Sequence, residues 1–581
     1  MDLGEAPDWE LLGEGGANLV FGYRGSSPLL VGKVLRIKKK VRVKQDHAVR
    51  TIDDAVWQIY PGMVGSDTLQ REAVFFEKVM APMLGRKYVG TMTVIRAPSE
   101  LIKEVIKQNA EKMRRVDKVL AQLELNSTQE VEAVLMRDMT FLSIPSELGA
   151  ISTPCICVEL KPKCGFVLQC SSVHPSHFVK SKCTRFHLQQ GVKLAAGHVT
   201  RVSKYRPLQL FSQDAHAVTK TLGNLVEEPQ NNFRVFCNGR MAYSSSKCSE
   251  FGMSSLGRGL HQALGGSLAP GLSESESAKL LVRLIAGIVT KEVDLLSNLL
   301  KVQKLETIDI EGVHEIYQQV LQAKAEAPPG ATERQDATDE VRALEASDAT
   351  EAKHCQAFER FASNEELFGK KDPGLLSRFL RTSASRKLNK DPLAGRHTCG
   401  CDPGMGGVSE PHWHTPNGQC SLGIPSTEDA LAEQQAVLAA LRNLPEPKKI
   451  RMLRDYVIAK TAQDCSIMFT FGRLEDGSSG GPDGGEATRA PPLPADEENA
   501  FLDPSTGARF HYKVGFVDLD VKSVAKIPRH YQVDLERIHA WHRMSNLVGS
   551  EESPSQGIAE WVKETKPEAQ QPISPHSDVS Q

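Results

Sequence analysis

The run CICVELKPKCGF at 155–166 limits what this chain can fold into more than any other stretch. Successive side chains of a strand point to opposite faces, so Glu159, Lys161 and Lys163 would share one face. The flanking cysteines and valines argue for a buried strand over an edge strand kept soluble by lysines. Buried lysines need anions, and phosphates would serve. The expectation is a sheet whose interior strand presents cations to an anionic ligand; an edge strand made soluble by its lysines is the alternative.

The rest of the chain bounds the setting. Its 581 residues suggest two to four lobes or domains, and 40% hydrophobic residues suffice for cores. A net charge of −2 argues against a protein that coats nucleic acid. Twelve cysteines spread along the chain, several inside apolar runs, look like reduced thiols. The acidic start MDLGEAPDWE lacks the apolar segment of a signal peptide. The most apolar run, LLVRLIAGIVTKEVDLLSNLL, is broken by Arg283, Lys291, Glu292 and Asp294 and reads as amphipathic helix. The expectation is a soluble monomer, cytoplasmic or nuclear, with no membrane or nucleic-acid partner.

Periodicity predicts strands in WELLG, NLVFGYRG, LLVGKVLRI and VWQIYP within 9–60, then helix over 68–82 and 98–122. EAVLMRD and the 155–166 run read as strands, 176–196 as helix, and NNFRVFCNGRMAY as a hairpin turning at Asn238-Gly239. Helix is expected over 277–324, in ALAEQQAVLAALRNL and in KKIRMLRDYVIAKTAQ; CSIMFTFG and HYKVGFVDLDVK read as strands. The stretches 244–278, 325–352, 395–425 and 474–498 read as low-complexity insertions, and 546–581 as a disordered tail.

Four further clusters carry chemistry. GEGGANLV (13–20) is a glycine turn between strands, with Lys33 and Arg36 on the next strand; it fits a phosphate lid or a plain hairpin turn. PQNNFRVF (229–236) opens a strand with Asn231, Asn232 and Arg234, able to bind phosphate or to form an Asx turn. In TAQDCSIMFTF, Asp464 stands where helix gives way to strand and could accept a proton from an alcohol or cap the helix. In VGFVDLDVKSVAKIPRHY, Asp518 ends an apolar strand, where a kinase holds its metal; Lys522, Lys526, Arg529 and His530 follow, and Asp520 reads as solvated. Together these are the parts of a kinase, but H-R-D-L-x-x-x-N, D-F-G and Walker A are missing. The surplus of lysines implies a second, highly anionic ligand.

The residues resemble the inositol-pentakisphosphate 2-kinase family, whose Glu-x-Lys-Pro-Lys-Cys-Gly-Phe hallmark fits ELKPKCGF at 159–166. GEGGANLV, VGKVLRI, QNNFRVF, DIEG (309–312), DCSIM and VDLDVK match in the family's order, over about residues 8–540. The resemblance implies an α+β, two-lobed kinase-like fold: an N-terminal nucleotide-binding lobe over 1–155 and a larger catalytic, inositol-phosphate-binding lobe over 156–545. It implies that Gly15, Gly16, Ala17, Asn18 and Arg36 hold ATP phosphates, that Arg137, Asp138 and Met139 form the adenine hinge, and that Glu159, Leu160, Lys161 and Arg234 face the nucleotide. Asp518 would bind Mg²⁺. Lys163, Lys193, Asn231, Lys522, Lys526, His530 and Arg115 would grip the inositol phosphates, and Asp464 would be the base at the 2-hydroxyl, working with Lys161 and Asp518. Lys526 stands where plant-like members carry Arg, and His530 where Tyr can occur. A pentakisphosphate carries roughly −7 to −10, which demands such a cage of cations.

The segment 395–420 holds Cys399, Cys401, Cys420, His397, His412 and His414, soft ligands that suit zinc. Plant-like members of the family carry a structural zinc in this neighbourhood. Its ligands here would be His314, Cys399, Cys401 and Cys420, while Arg442 replaces the family's last histidine. Incidental thiols in an insertion are the alternative. The expected reaction is ATP-dependent phosphorylation of inositol 1,3,4,5,6-pentakisphosphate to hexakisphosphate. Its rivals are a non-catalytic inositol-polyphosphate-binding protein of kinase-like fold and a kinase acting on protein or lipid.

Overall fold

The computed structural model describes residues 2–326, 427–474 and 499–548, except 16, 40–46, 61, 66–67, 114–115, 117–119, 121–129, 143–150, 246–247 and 249. The expected insertion at 395–425, all of that at 474–498 but Leu474, most of that at 325–352, and the tail from 549 lie outside the described residues.

The chain is mixed α and β, with two antiparallel sheets. The first has five strands: β1 (Trp9–Glu14), β2 (Asn18–Tyr23), β3 (Lys33–Lys38), β4 (Met92–Pro98) and β5 (Glu130–Arg137), in the order β1-β2-β3-β5-β4. The second has six: β6 (Ile151–Leu160), β7 (Phe233–Cys237), β8 (Arg240–Tyr243), β9 (Ser466–Leu474), β10 (Ala500–Leu502) and β11 (Arg509–Val517), in the order β10-β11-β9-β6-β7-β8. The β7–β8 turn has Asn238 and Gly239 both at positive φ (48° and 74°), the type I′ geometry that Asn-Gly favours.

Helices follow in chain order. They are α1 (His47–Trp57), α2 (Thr68–Val74), α3 (Ser99–Gln108), α4 (Arg185–Ala195), α5 (Ala215–Glu227), α6 (Met253–Leu264), α7 (Glu274–Lys291), α8 (Val293–Gln303), α9 (Ile310–Glu326), α10 (Thr427–Arg442), α11 (Glu446–Asp464) and α12 (Ile527–Val548). None of the described helices is long and apolar enough to cross a membrane. The described cysteines are free thiols.

The helix expected over 98–122 stops at Gln108 and gives way to a short 3-10 turn over Ala110–Lys112, and two further expectations fail outright. VWQIYP is not a strand: Ala48, Ile52 and Val56 recur at four-residue spacing and bury one face of α1. The stretch 244–278 is not unstructured. It contains α6 and the start of α7, where Ser273 and Glu276 form a reciprocal capping box.

Core membership does not follow chain order. A smaller core joins Trp9, Phe21, Leu35 and Ile37 with Ile102 and Val105 of α3 and Leu135 of β5. The larger core takes the six-stranded sheet and helices α5 to α11, and it also takes Ile52, Trp57, Phe75 and Met80 from the segment between β3 and β4. That segment ties the two sheets: Phe516 N–H donates to Tyr88 C=O at 2.8 Å, and Val524 N–H to the Asp53 carboxylate at 3.2 Å. In the antiparallel register, Leu160 pairs with Phe233 and Ile467, and Val517 with Ser466. Lys161, Asn232, Asp464 and Asp518 therefore leave the second sheet at one end.

Candidate active site

That sheet end opens onto a cavity of about 550 Å³, inside the range of roughly 300–1,000 Å³ usual for small-molecule sites. Helical spacing supplies its walls. Arg185, Gln189, Gln190 and Lys193 come from one face of α4, and Tyr456, Lys460, Gln463 and Asp464 from one face of α11. Lys526 precedes α12, which adds His530, Asp534 and Arg537. Lys163, Asn231, Asn232 and Lys522 also line it.

The predicted substrate lysines are thus brought together. Lys163, Lys193, Lys522 and Lys526 all face this space. Lys193 donates to Gln230 at 2.5 Å and Lys522 pairs with Asp464 at 3.3 Å. Burial pushes Lys163 down to about 8, helped by the charge of Lys161. Burial also lowers Lys193, and burial with the charge of Lys522 lowers Lys526. Crowded cations with depressed pKa values await an anion to restore them. Burial pushes His530 down to about 4, with Lys460 and Lys526 adding to the effect, so it is a neutral ring facing Tyr456 Oη at 3.2 Å. Asn231 is exposed at the rim.

Asp464 ends α11. Burial works to raise its pKa, but the charges of Lys522, Lys163 and Lys161 outweigh that, and the net direction is down. It is an ionised carboxylate at neutral pH, ready to accept a proton. A chain of polar contacts crosses the sheet end beside it. Arg234 donates to Glu159 at 3.1 Å, and Ser466 Oγ to Glu159 at 3.0 Å and to Asp518 at 3.1 Å; Lys161 approaches Asp518 at 3.5 Å. The Asp518 side chain stays 59% exposed and its φ is +61°. Lys163, Gln230 and Asp518, three of the five described non-glycine residues at positive φ, cluster here, as backbone strain does at functional sites.

At the glycine turn, Gly15 N–H donates to Asn18 C=O at 2.9 Å, and Lys39 N–H to Ala17 C=O at 2.8 Å. Gly16 lies outside the described residues. Asn18 Nδ2 donates to Asp520 at 3.0 Å, and Arg36 pairs with the same carboxylate and with Glu72 at 3.4 Å. Asp520 is therefore not a solvated residue; it joins the glycine turn to the second sheet. At the expected hinge, Arg137 is exposed, and Asp138 is buried, accepting from Thr140 N–H and Oγ1 at 2.8 and 2.6 Å. Met139 C=O accepts from Thr470, and Met139 packs on an apolar cluster of Cys157, Phe236 and Met468.

Other placements differ from expectation. Lys163 does not continue the strand: β6 ends at Leu160, and the left-handed φ of +61° at Lys163 turns it into the cavity. Leu160 is buried in the larger core, which leaves only its backbone for a ligand. Arg115, Cys399, Cys401 and Cys420 lie outside the described residues. His314 stacks on Tyr531 at 4.3 Å, and Arg442 pairs with Glu315 at 2.8 Å.

Residues not anticipated are Arg185, Gln189, Gln190, Lys460 and Arg537, which the four-residue spacing along α4, α11 and α12 could have revealed. Asn232 is 2% exposed, and both side-chain polar atoms lack a protein partner.

A model of the family described as inositol-pentakisphosphate 2-kinase matches residues 12–536. The chain is 25% identical over 561 residues to the inositol-pentakisphosphate 2-kinase of Arabidopsis thaliana, spanning 94% of this chain and 96% of that one. It is 24% identical over 564 residues to that of Oryza sativa subsp. indica, spanning 95% and 98%. To the inositol-pentakisphosphate 2-kinase of Danio rerio it is 32% identical over 246 residues, 42% of this chain and 46% of that one.

Proposed function

The chain belongs to the inositol-pentakisphosphate 2-kinase family, and from that membership we propose that it transfers the terminal phosphoryl group of ATP to the 2-hydroxyl of inositol 1,3,4,5,6-pentakisphosphate, giving hexakisphosphate and ADP. The observation that carries this reading is the convergence of Lys163, Lys193, Lys522 and Lys526 with Asp464 on one cavity. A cage of four lysines suits a ligand of roughly −7 to −10, and the ionised carboxylate of Asp464, paired with Lys522 of that cage, suits one proton to be removed.

In this reading the hydroxyl oxygen forms its bond to the terminal phosphorus as the bond to the bridging oxygen breaks. Asp464 takes the hydroxyl proton, and ADP carries away the electron pair. Lys161 neutralises charge beside the transferring group. Asn232, buried and unpartnered, is suited to a phosphate oxygen or the inositol ring. Gly15, Gly16, Ala17, Asn18 and Arg36 would hold ATP phosphates, the hinge at Arg137, Asp138 and Met139 would receive adenine, and Glu159 and Arg234 would border the nucleotide. For Arg36 and Asn18 that means exchanging the Asp520 carboxylate for phosphate.

The open carboxylate of Asp518 is a hard oxygen ligand of the kind a divalent cation takes. Asp518 would hold Mg²⁺, which would supply charge neutralisation on the phosphates. In the two-lobed arrangement we propose, the first sheet forms the nucleotide-binding lobe and the second sheet with its helices the catalytic lobe. Incubation with radiolabelled ATP and the pentakisphosphate tests the function. Labelled hexakisphosphate is the expected product. Tight binding without transfer would instead mark a sensor, and label only on protein would mark a protein kinase.

A further inference from the structure

Gln303, the last residue of α8, is wholly buried, and its side chain touches two functional segments. Its Oε1 accepts from Gly165 N–H at 2.8 Å. Its Nε2 donates to Lys163 C=O at 2.9 Å and to Ala462 C=O at 3.1 Å. Its own C=O receives Gln463 Nε2 at 3.5 Å. Resting on the function proposed above, we infer that Gln303 is a positioning residue. Its amide locks the loop carrying Lys163 to the last turn of α11 and so sets the spacing between the lysine that grips substrate and the carboxylate of Asp464.

The chemistry is specific to an amide. The site needs one acceptor for Gly165 and donors for two carbonyls, and an uncharged side chain with both is Gln or Asn; Asn is one methylene too short to span the same atoms. The loop needs holding, because Lys163 sits at φ +61°, a conformation that costs about 1–3 kcal/mol unless its surroundings impose it. Gly165 packs close to the Phe211 ring, which a Cβ at this position would meet at 2.6 Å, so the loop takes only glycine here. Ala462 lies two residues before Asp464, so a slackened bond at Gln303 is felt at both ends of the site. Misplacement by about 1 Å can cost about 10²-fold in rate.

Two variants test this. Gln303→Met keeps the volume and removes all three bonds. Gln303→Glu keeps the acceptor for Gly165 and turns the donor end into an oxygen facing two carbonyls. The expected result for folded variants is a fall in kcat/KM for the pentakisphosphate on the order of 10²-fold, shared between kcat and KM, with binding of a fluorescent ATP analogue unchanged. In a Lys163→Met background the penalty should largely vanish, because the residue it acts through is gone. Wild-type kinetics below the melting temperature, a full additive penalty in that background, or failure of both variants to fold would overturn the inference. If the wild type binds the pentakisphosphate but transfers nothing to it, the functional reading falls. Calorimetric affinity then carries the test: an unchanged Kd for Gln303→Glu would sink the positioning role by itself. A wild type that neither transfers to nor binds the pentakisphosphate would sink both.

Discussion

Two sets of cations line the same cavity in opposite surroundings. Lys163, Lys193 and Lys526 have no carboxylate within ion-pair distance among the described residues. Arg185, Lys460 and Arg537 are all paired: Arg185 with Glu306 at 2.6 Å and Asp309 at 3.2 Å, Lys460 with Glu306 at 3.2 Å, and Arg537 with Asp534 at 3.5 Å. Behind them Lys180 is bound by Asp309, Glu311 at 2.9 Å and Asp534 at 2.6 Å. The paired set is already neutralised and acts as scaffold. The unpaired set holds charge in reserve, and burial makes that reserve costly until an anion arrives. Residue type alone does not tell the two apart; the carboxylates behind each one do.

The comparison predicts where substitutions will register. Asp464→Asn, which removes the proton acceptor and leaves the cage, should lower kcat by about 10²–10⁴ while pentakisphosphate still binds; near-normal turnover would remove it as base. Glu306→Gln strikes the paired set. Glu306 is 1% exposed, and burial alone would raise its pKa; the charges of Arg185 and Lys460 reverse that and hold it far below the ordinary carboxylate range. Stripping its charge leaves Lys460 without its carboxylate and Arg185 with Asp309 alone at close range, so unfolding should cost about 3–5 kcal/mol less, read by denaturant titration, with KM for pentakisphosphate little changed. A KM rise as large as the loss of stability would erase the distinction. Lys163→Ala should weaken pentakisphosphate by about 2–5 kcal/mol, as removal of a buried charge contact does, and ATP by much less. Equal losses in a calorimetric titration would break the division between the two ligands.

Legibility follows sequence separation. The strands β6, β9 and β11 and the Asn238-Gly239 turn read directly, because their patterns repeat within a few residues. Lys163, Asp464 and Asp518 were legible as chemistry because an apolar run makes a lone charge stand out. Helix α6 was not, since its serines and glycines resemble linker; in fact a Cβ at Gly257 would meet Glu274 C=O at 2.1 Å, so the glycine is what lets α6 approach α7. Asp520 was read as solvated because its partners, Asn18 and Arg36, lie 502 and 484 positions earlier. Gln303 and Glu306 are ordinary helix-end polar residues until the fold brings Gly165, Ala462 and Arg185 to them.

The smallest expected effect is the sharpest on charge state. Lys163 titrates near 8 in the unliganded protein, facing Lys161, Lys193, Asp464 and Cys465. In the function proposed, the polyanion binds the protonated amine. Affinity should therefore be flat between about pH 7 and 7.5, where Lys163 is charged and the phosphates, with a second pKa of about 6, are mostly ionised. Above pH 8 each binding event must also take up a proton, so Kd should rise by up to about tenfold per pH unit. Lys460 also falls to about 8, pushed by burial and by the charge of Arg185, but it points at Glu306. Lys163→Arg separates the two, because a guanidinium stays charged throughout this range. Loss of the alkaline limb in that variant assigns it to Lys163, whereas an unchanged limb would take it away from Lys163 and leave it to Lys193, Lys526 or Lys460, whose pKa values are also lowered.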